Sequence, residues 1–337
     1  MDKQDNLNFI SPFESNKNIQ KVKRISSYAP VVIPTLNRYN HFKRCFESLE
    51  KCTGADKTIL YVGLDYPPSE KYRDGWYAID AYLHTKEKNN MFQELIVIRR
   101  PYNYGVGGEN SNARVLFREV FDRFDRCIFT EDDNEFSPNF LEFMNQGLEK
   151  YENDNHVIRI SAYTSPIFAK KVQSTTFMGI DTPAYGLGIW KNKEVKAVDI
   201  NIGNYLKSLS FRKYLQLFFI YPSLFSMVID MERRKTSWGD VICSLNNLLF
   251  GTFTLQPSLS LARNWGNDGS GINCGKNEKI ENEIIDTNEL FYLEDVPLMC
   301  PKEIKCLYRY RNMPSNPFKY PFSVLIKLYR AIRFYFA

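Results

Sequence analysis

From Pro30 to Ser161 short aliphatic runs alternate with amphipathic stretches, and this alternation leaves few folds open to the chain. Residues 30–34, 59–64, 95–99, 127–129 and 157–161 are brief and mostly apolar, as strands buried on both faces are. Between them, residues 37–51 place Phe42, Cys45, Phe46 and Leu49 at helical spacing. The stretch after Asn110 repeats the pattern with Ala113, Leu116, Phe117, Val120, Phe121 and Phe124. Ser137 and Pro138 read as the N-cap and first residue of a further helix ending near residue 151, with Phe136 and Leu141 placed as a hydrophobic staple. Such alternation predicts an α/β fold, a mixed, mainly parallel central sheet flanked by helices.

Beyond Ser161 the text is irregular, with Gly186-Leu187-Gly188, a basic aromatic stretch over 205–235, and a helix carrying Trp238, Ile242, Leu245 and Leu249. Three regions are expected: a flexible lead-in 1–27, a main domain 28–300, and a basic aromatic segment 301–337. The lead-in is polar and has no apolar run resembling a signal peptide or anchor. At 337 residues, 44% hydrophobic and 15% aromatic, the chain can fill a sizeable core, which excludes disorder of the whole. Its net charge of +5 is too mild for a nucleic-acid binder, so no nucleic-acid partner is expected. Seven cysteines, an odd number with no C-x-x-C spacing, fit a reducing compartment, and a cytoplasmic location is expected.

The chemistry-bearing feature is Glu131-Asp132-Asp133, directly after the apolar run Cys127-Ile128-Phe129. Three adjacent acids also suit a solvated turn. A buried strand before them and a helix after them instead fix the triplet at a strand's C-terminal end, where open α/β sheets hold their ligands. Carboxylates so close repel one another unless a cation or hydrogen-bond donors compensate, and hard oxygen ligands suit Mg²⁺ or Mn²⁺ shared with a diphosphate.

Two segments, Val31-Val32-Ile33-Pro34-Thr35-Leu36-Asn37-Arg38 and Thr130-Glu131-Asp132-Asp133-Asn134-Glu135-Phe136-Ser137-Pro138-Asn139-Phe140, resemble GT-A glycosyltransferases. Within that fold the resemblance is to N-acetylglucosaminyltransferase I-like enzymes and to bacterial sugar transferases with an E-D-D triplet. Trp238-Gly239-Asp240, Gln256-Pro257-Ser258-Leu259 and Arg263-Asn264-Trp265-Gly266-Asn267-Asp268-Gly269-Ser270-Gly271 extend it, so that residues 28 to 275 are covered. The resemblance implies a metal-dependent, inverting transfer of sugar from a nucleotide-sugar donor to a saccharide or lipid-linked saccharide acceptor, in cell-surface polysaccharide or lipopolysaccharide assembly. Residues 28–160 would be the nucleotide-sugar half and 161–300 the acceptor half.

The same resemblance distributes roles. Thr35 and Arg38 would lie near the donor's pyrophosphate or base, Asp65 would accept from the nucleobase, and Arg114 would add charge near the phosphates. Asp132 would touch the ribose or metal shell, Asp133 would ligate Mn²⁺ or Mg²⁺, and Glu131 would be structural support. Asp240 would be the base that deprotonates the acceptor, in the first turn of a helix. Tyr185, Trp190 and Trp238 are candidates for the acceptor side, although core packing suits Trp190 equally. Gly108, in Asn103-Tyr104-Gly105-Val106-Gly107-Gly108, could bring backbone N–H groups to phosphate or sugar oxygens, a weak signal by itself.

One departure stands out. Related bacterial sequences often place a histidine after the D-G-S-G text, where this chain reads Ile272-Asn273-Cys274, and its histidines are His41, His84 and His156. A sugar nucleotidyltransferase is an alternative, but a glycine-rich signature with a catalytic lysine near the N-terminus is lacking. A non-catalytic, membrane-associated sugar-binding module is another. At the C-terminal end, residues 321–336 set Lys327, Arg330 and Arg333 on one helical arc with apolar groups around the rest. Too short and charged to span a bilayer, this segment is expected either to lie on the inner face of the plasma membrane, its cations on anionic headgroups, or to dock on the core.

Overall fold

The computed structural model describes residues 27–165, 174–194, 202–269, 285–309, 311 and 317–337. The first half alternates strand and helix, with α2 and β5 added to the expected elements: β1 (Val31–Thr35), α1 (Tyr39–Glu50), β2 (Ile59–Leu64), α2 (Arg73–Lys86), β3 (Glu94–Arg99), α3 (Asn112–Phe121), β4 (Arg126–Phe129), β5 (Asn134–Phe136), α4 (Phe140–Lys150) and β6 (Val157–Ser161). Next come β7 (Thr176–Gly179), β8 (Leu187–Trp190), α5 (Lys191–Glu194), α6 (Ile202–Ser208), α7 (Phe211–Ile220), α8 (Pro222–Arg234) and α9 (Gly239–Phe250). β9 (Phe253–Pro257), β10 (Ala262–Asn264), α10 (Pro301–Tyr308) and α11 (Tyr320–Phe336) complete the described elements.

Eight strands form one mixed sheet in the order β3-β2-β1-β4-β8-β6-β9-β7, while β5 and β10 pair antiparallel beside it. β1 pairs in parallel with both β2 and β4, and β2 with β3. Antiparallel pairing enters where β8 inserts between β4 and β6. The expected α/β architecture, a mainly parallel sheet flanked by helices, is therefore present.

Alternation along β1 shows why the sheet is covered on both faces. Val31 and Ile33 join a large core with Phe42, Cys45, Phe46 and Leu49 of α1. Val32 points the other way, into a second core with Tyr61, Leu116, Val120 and Ile189. A single strand thus spends successive residues on opposite layers, the consequence of its two-residue period.

The second half contributes β7, β8 and β9 to the same sheet, so residues 28–160 and 161–300 share one framework. Gly186, with φ +81°, turns the chain into β8, and a Cβ there would sit 2.8 Å from the Phe140 ring. Only glycine meets both demands. The basic aromatic stretch becomes α6, α7 and α8, which pack with α11 into a helical layer.

One local expectation needs correction. α4 begins at Phe140, not at Pro138: Ser137 Oγ donates to Asn139 Oδ1 at 2.7 Å, and Phe140 N donates to Ser137 O at 3.1 Å, forming a turn ahead of the helix. Phe136 then stacks on Phe140, ring centroids 4.0 Å apart, in the core cluster that also holds Leu141.

Candidate active site

The chain leaves β1 toward β2 on one side of the sheet, while β4 lies on its other side, so the strand order reverses between β1 and β4. The loops leaving such a pair diverge and open a crevice at their C-terminal ends. Into it the first loop sends Arg38, and the second sends Glu131, Asp132 and Asp133.

These residues form one bonded group. Thr35 Oγ1 donates to Asp132 Oδ2 at 2.8 Å, and Arg38 pairs with Asp132 Oδ1 through one nitrogen and with Asp133 Oδ2, at 2.8 Å, through the other. Asp132 and Asp133 are both buried. Burial raises the Asp132 pKa, and the Arg38 charge opposes it. Beneath them lies the buried Cys45 thiol, pushed up first by burial and then by Asp132 and Asp133.

The R-N-W-G-N-D text returns to the triplet from the far end of the chain. β10 pairs with β5 so that Asn264 faces Asn134. Asn264 Nδ2 donates to Asp133 Oδ1 at 2.8 Å, and Trp265 N donates to Asp133 O at 2.8 Å. Gly266 passes so close that a Cβ on it would lie 2.2 Å from Asp133 Oδ2. His41 completes the contact, its Nε2 3.2 Å from both Trp265 O and Asp268 Oδ2. Sequence reasoning gave no site role to Asn264, Gly266 or His41; the signal for the first two was their adjacency within the quoted motif, and His41 had none. Residues 270–284, which include Ile272-Asn273-Cys274, lie outside the described residues.

Glu131 differs from its neighbours because its side chain is open to solvent. Protein still surrounds it closely enough that desolvation leads the causes raising its carboxyl to about 8, followed by the charges of Asp133 and Asp132. Asp240 has the same character: exposed, in the first turn of α9, with Oδ1 accepting from Val241 N at 2.8 Å. Its pKa is raised mainly by desolvation, against the Val241 N–H, with Asp181 adding to the rise. Asp240 also contributes to the rise at Glu131, so the two carboxylates are within electrostatic range of each other. Glu131, expected as structural support, is exposed beside the two buried aspartates.

Other expected residues are placed as follows. Asp65 is buried and accepts from the loop after β3, Tyr104 N at 2.8 Å and Gly105 N at 3.0 Å, and from its neighbour Tyr66 N at 2.9 Å. Its carboxylate holds that loop, and burial outweighs those N–H groups to raise its pKa. Gly108 is exposed at φ +76° with open space where a Cβ would be. Arg114 lies in the first turn of α3, half-buried. Tyr185 is half-buried with its ring edge on Tyr163 at 4.7 Å, and Trp238 precedes α9 with the Arg234 guanidinium 6.0 Å from its ring. Trp190 is a correction. It is 2% exposed, donates Nε1–H to Leu148 O at 3.1 Å and carries Lys193 over its ring, so it packs the core and cannot stack on a sugar.

The donor set can be tested against a divalent cation. Asp132 and Asp133 share Arg38, the one cation paired with them among the described contacts, and Glu131 precedes them in the chain. Negative charge is left over, which a hard cation suits. Yet no group of three or more His, Cys, Asp and Glu side chains among the described residues could hold a metal ion. Both Asp133 oxygens are engaged, Oδ1 by Asn264 and Oδ2 by Arg38, so a divalent ion on Asp133 would have to replace one of these contacts.

Neither a protein-family profile nor a curated protein matches the sequence. Several solved structures overlap with it. S. aureus TarS 1–349 in complex with UDP-GlcNAc is 15% identical over 51% of this chain and 48% of that one, with a TM-score of 0.35. The mannosyltransferase PcManGT from Pyrobaculum calidifontis, in complex with GDP-Man and Mn²⁺, is 9% identical over 91% and 73%, with a TM-score of 0.38. Mouse xyloside xylosyltransferase 1 is 11% identical over 67% and 83%, with a TM-score of 0.35. The chain spans about half the length of the TarS fragment it matches. All three overlaps are loose.

Proposed function

We propose that the chain is a GT-A glycosyltransferase that moves a sugar from a nucleoside diphosphate to a saccharide hydroxyl with inversion. The observation that carries this is the joining of Thr35, Arg38, Asp132 and Asp133 at the β1/β4 crevice, with Asp240 exposed in the first turn of α9. Arg38 would exchange a carboxylate for a phosphate oxygen, since its guanidinium accommodates either geometry. Asp132, anchored by Thr35, would accept from the ribose, and the exposed N–H groups around Gly108 would meet phosphate. When bound, Mn²⁺ or Mg²⁺ held by Asp133 and the diphosphate would neutralise charge on the leaving group.

Asp240 would take the proton of the acceptor hydroxyl as its oxygen bonds to the anomeric carbon. The bond from that carbon to the phosphate oxygen breaks, and the nucleoside diphosphate departs with the electron pair. One displacement from the opposite face inverts the anomeric configuration. Tyr185 and Trp238, both partly accessible, are the aromatic candidates for the acceptor. Assembly of cell-surface polysaccharide or lipopolysaccharide, on a saccharide or lipid-linked acceptor, is the setting proposed for this reaction.

A thermal-shift screen of nucleotide-sugars, with and without Mn²⁺, tests the reading, because a ligand that binds only the folded state raises its stability. One class of nucleotide-sugar should raise the melting temperature more with Mn²⁺ present, and Mn²⁺ alone should do little. No shift with any nucleotide-sugar would overturn the proposal.

A further inference from the structure

The C-terminal helix α11 turns Lys327 and Arg330 toward the protein and an apolar stripe outward. Lys327 Nζ donates to Ser223 Oγ at 3.3 Å and Arg330 pairs with Asp230, both on α8, which corrects the expectation that these two cations face headgroups. Tyr335 and the buried Ala331 also face the helical layer, where Tyr214 donates to Ala331 O at 2.9 Å. On the other side Phe322, Leu325, Ile326, Tyr329 and Phe336 are 70%, 60%, 62%, 65% and 70% exposed. Their spacing of three, four and seven residues puts them on one stripe of the helix. A soluble helix normally shows water its polar side, and a contiguous exposed apolar face marks an interaction surface.

We infer that this face enters the boundary between headgroups and acyl chains of an anionic membrane. Charge selects that occupant. Lys319 and Arg333 are exposed at the two ends of the stripe, and from Pro317 to Ala337 the chain contains no Asp or Glu. An anionic surface complements such a face, whereas a second copy of the same face would set like charges together. The helix has 17 residues, and no single helix among the described residues is long and apolar enough to cross a bilayer. It lies in the plane of the interface, aromatic rings at headgroup depth, and anchoring in this way is independent of the reaction proposed above.

Co-sedimentation of the full chain with phosphatidylcholine vesicles, with and without phosphatidylglycerol, tests this. The chain should pellet with the anionic vesicles, less so in high salt. Leu325→Glu with Ile326→Glu should weaken that partition about tenfold or more, and Lys319→Glu with Arg333→Glu about threefold or more. Because all four side chains are exposed, melting curves should be unchanged. Phe322→Trp supplies a probe that needs no loss of binding: its emission should shift to the blue with anionic vesicles. Equal pelleting of the chain and the Leu325/Ile326 variant, or an unshifted emission from the Phe322→Trp variant, would overturn the inference. So would a dimer in solution that the Leu325/Ile326 variant dissociates, since a second copy would then cover the face.

Discussion

Arg38 Nη1 lies 2.8 Å from Asp133 Oδ2, which ties the loop after β1 to the loop after β4 across the point where the strand order reverses. The same guanidinium also pairs with Asp132, so one cation answers two buried carboxylates. Arg38→Ala should therefore destabilise the fold by about 1–3 kcal/mol, less than for a fully buried pair because the arginine side chain is 24% exposed. Urea denaturation measures this. An unchanged midpoint would mean that the two carboxylates need no counterion.

Gly266 sets how closely the returning loop approaches Asp133. Gly266→Ala would place a methyl group 2.2 Å from Asp133 Oδ2 and push the carboxylate out of line. Because small displacements in a site are costly, kcat/KM should fall about 100-fold with the fold retained. Normal transfer by a folded Gly266→Ala variant would show that Asp133 need not hold its position.

Trp190 separates packing from recognition. Trp190→Ala should cost about 3–5 kcal/mol of stability, as expected for a buried indole with a satisfied N–H. Trp190→Phe should fold and leave the acceptor KM unchanged, which steady-state kinetics would check. A raised KM in that variant would restore the residue to the acceptor site.

Asp240 predicts the pH dependence. The base must be ionised to take a proton, and its pKa is raised by desolvation and by Asp181. Activity should accordingly be lost as pH falls through a pKa above that of an ordinary aspartate, and be present above it. Asp240→Asn should lower kcat about 100- to 10,000-fold, remove this acidic limb and leave donor binding intact. If the limb persists in Asp240→Asn, another group is the base, and the exposed Glu131 is the first to examine.

Most of the first half was legible because β1, β2 and β4 are largely buried and its helices bury one face, two patterns that the spacing of apolar residues distinguishes, while the edge strand β3 is only half-buried. β2 and β6 fall where the aliphatic runs place them. β7 and β8 were not legible: each has four residues including a glycine, and each owes its place to partners far along the chain. A similar division holds in the candidate site. The triplet is visible in local text and Arg38 and Asp240 enter through the resemblance, whereas Asn264 and His41 reach Asp133 and Asp268 through pairings that no local pattern reports. Trp190 misled because an aromatic beside a glycine reads alike in a core and in a sugar site. Lys327 and Arg330 misled because a helical arc does not say which side faces the protein.

The most direct test of the central claim is a crystal structure of the chain with a nucleoside diphosphate and Mn²⁺. The account predicts the diphosphate in the β1/β4 crevice, with Arg38 on a phosphate oxygen, Asp133 on the ion and Asp240 facing the open side. A diphosphate bound elsewhere, with the Arg38–Asp132–Asp133 group undisturbed, would contradict it.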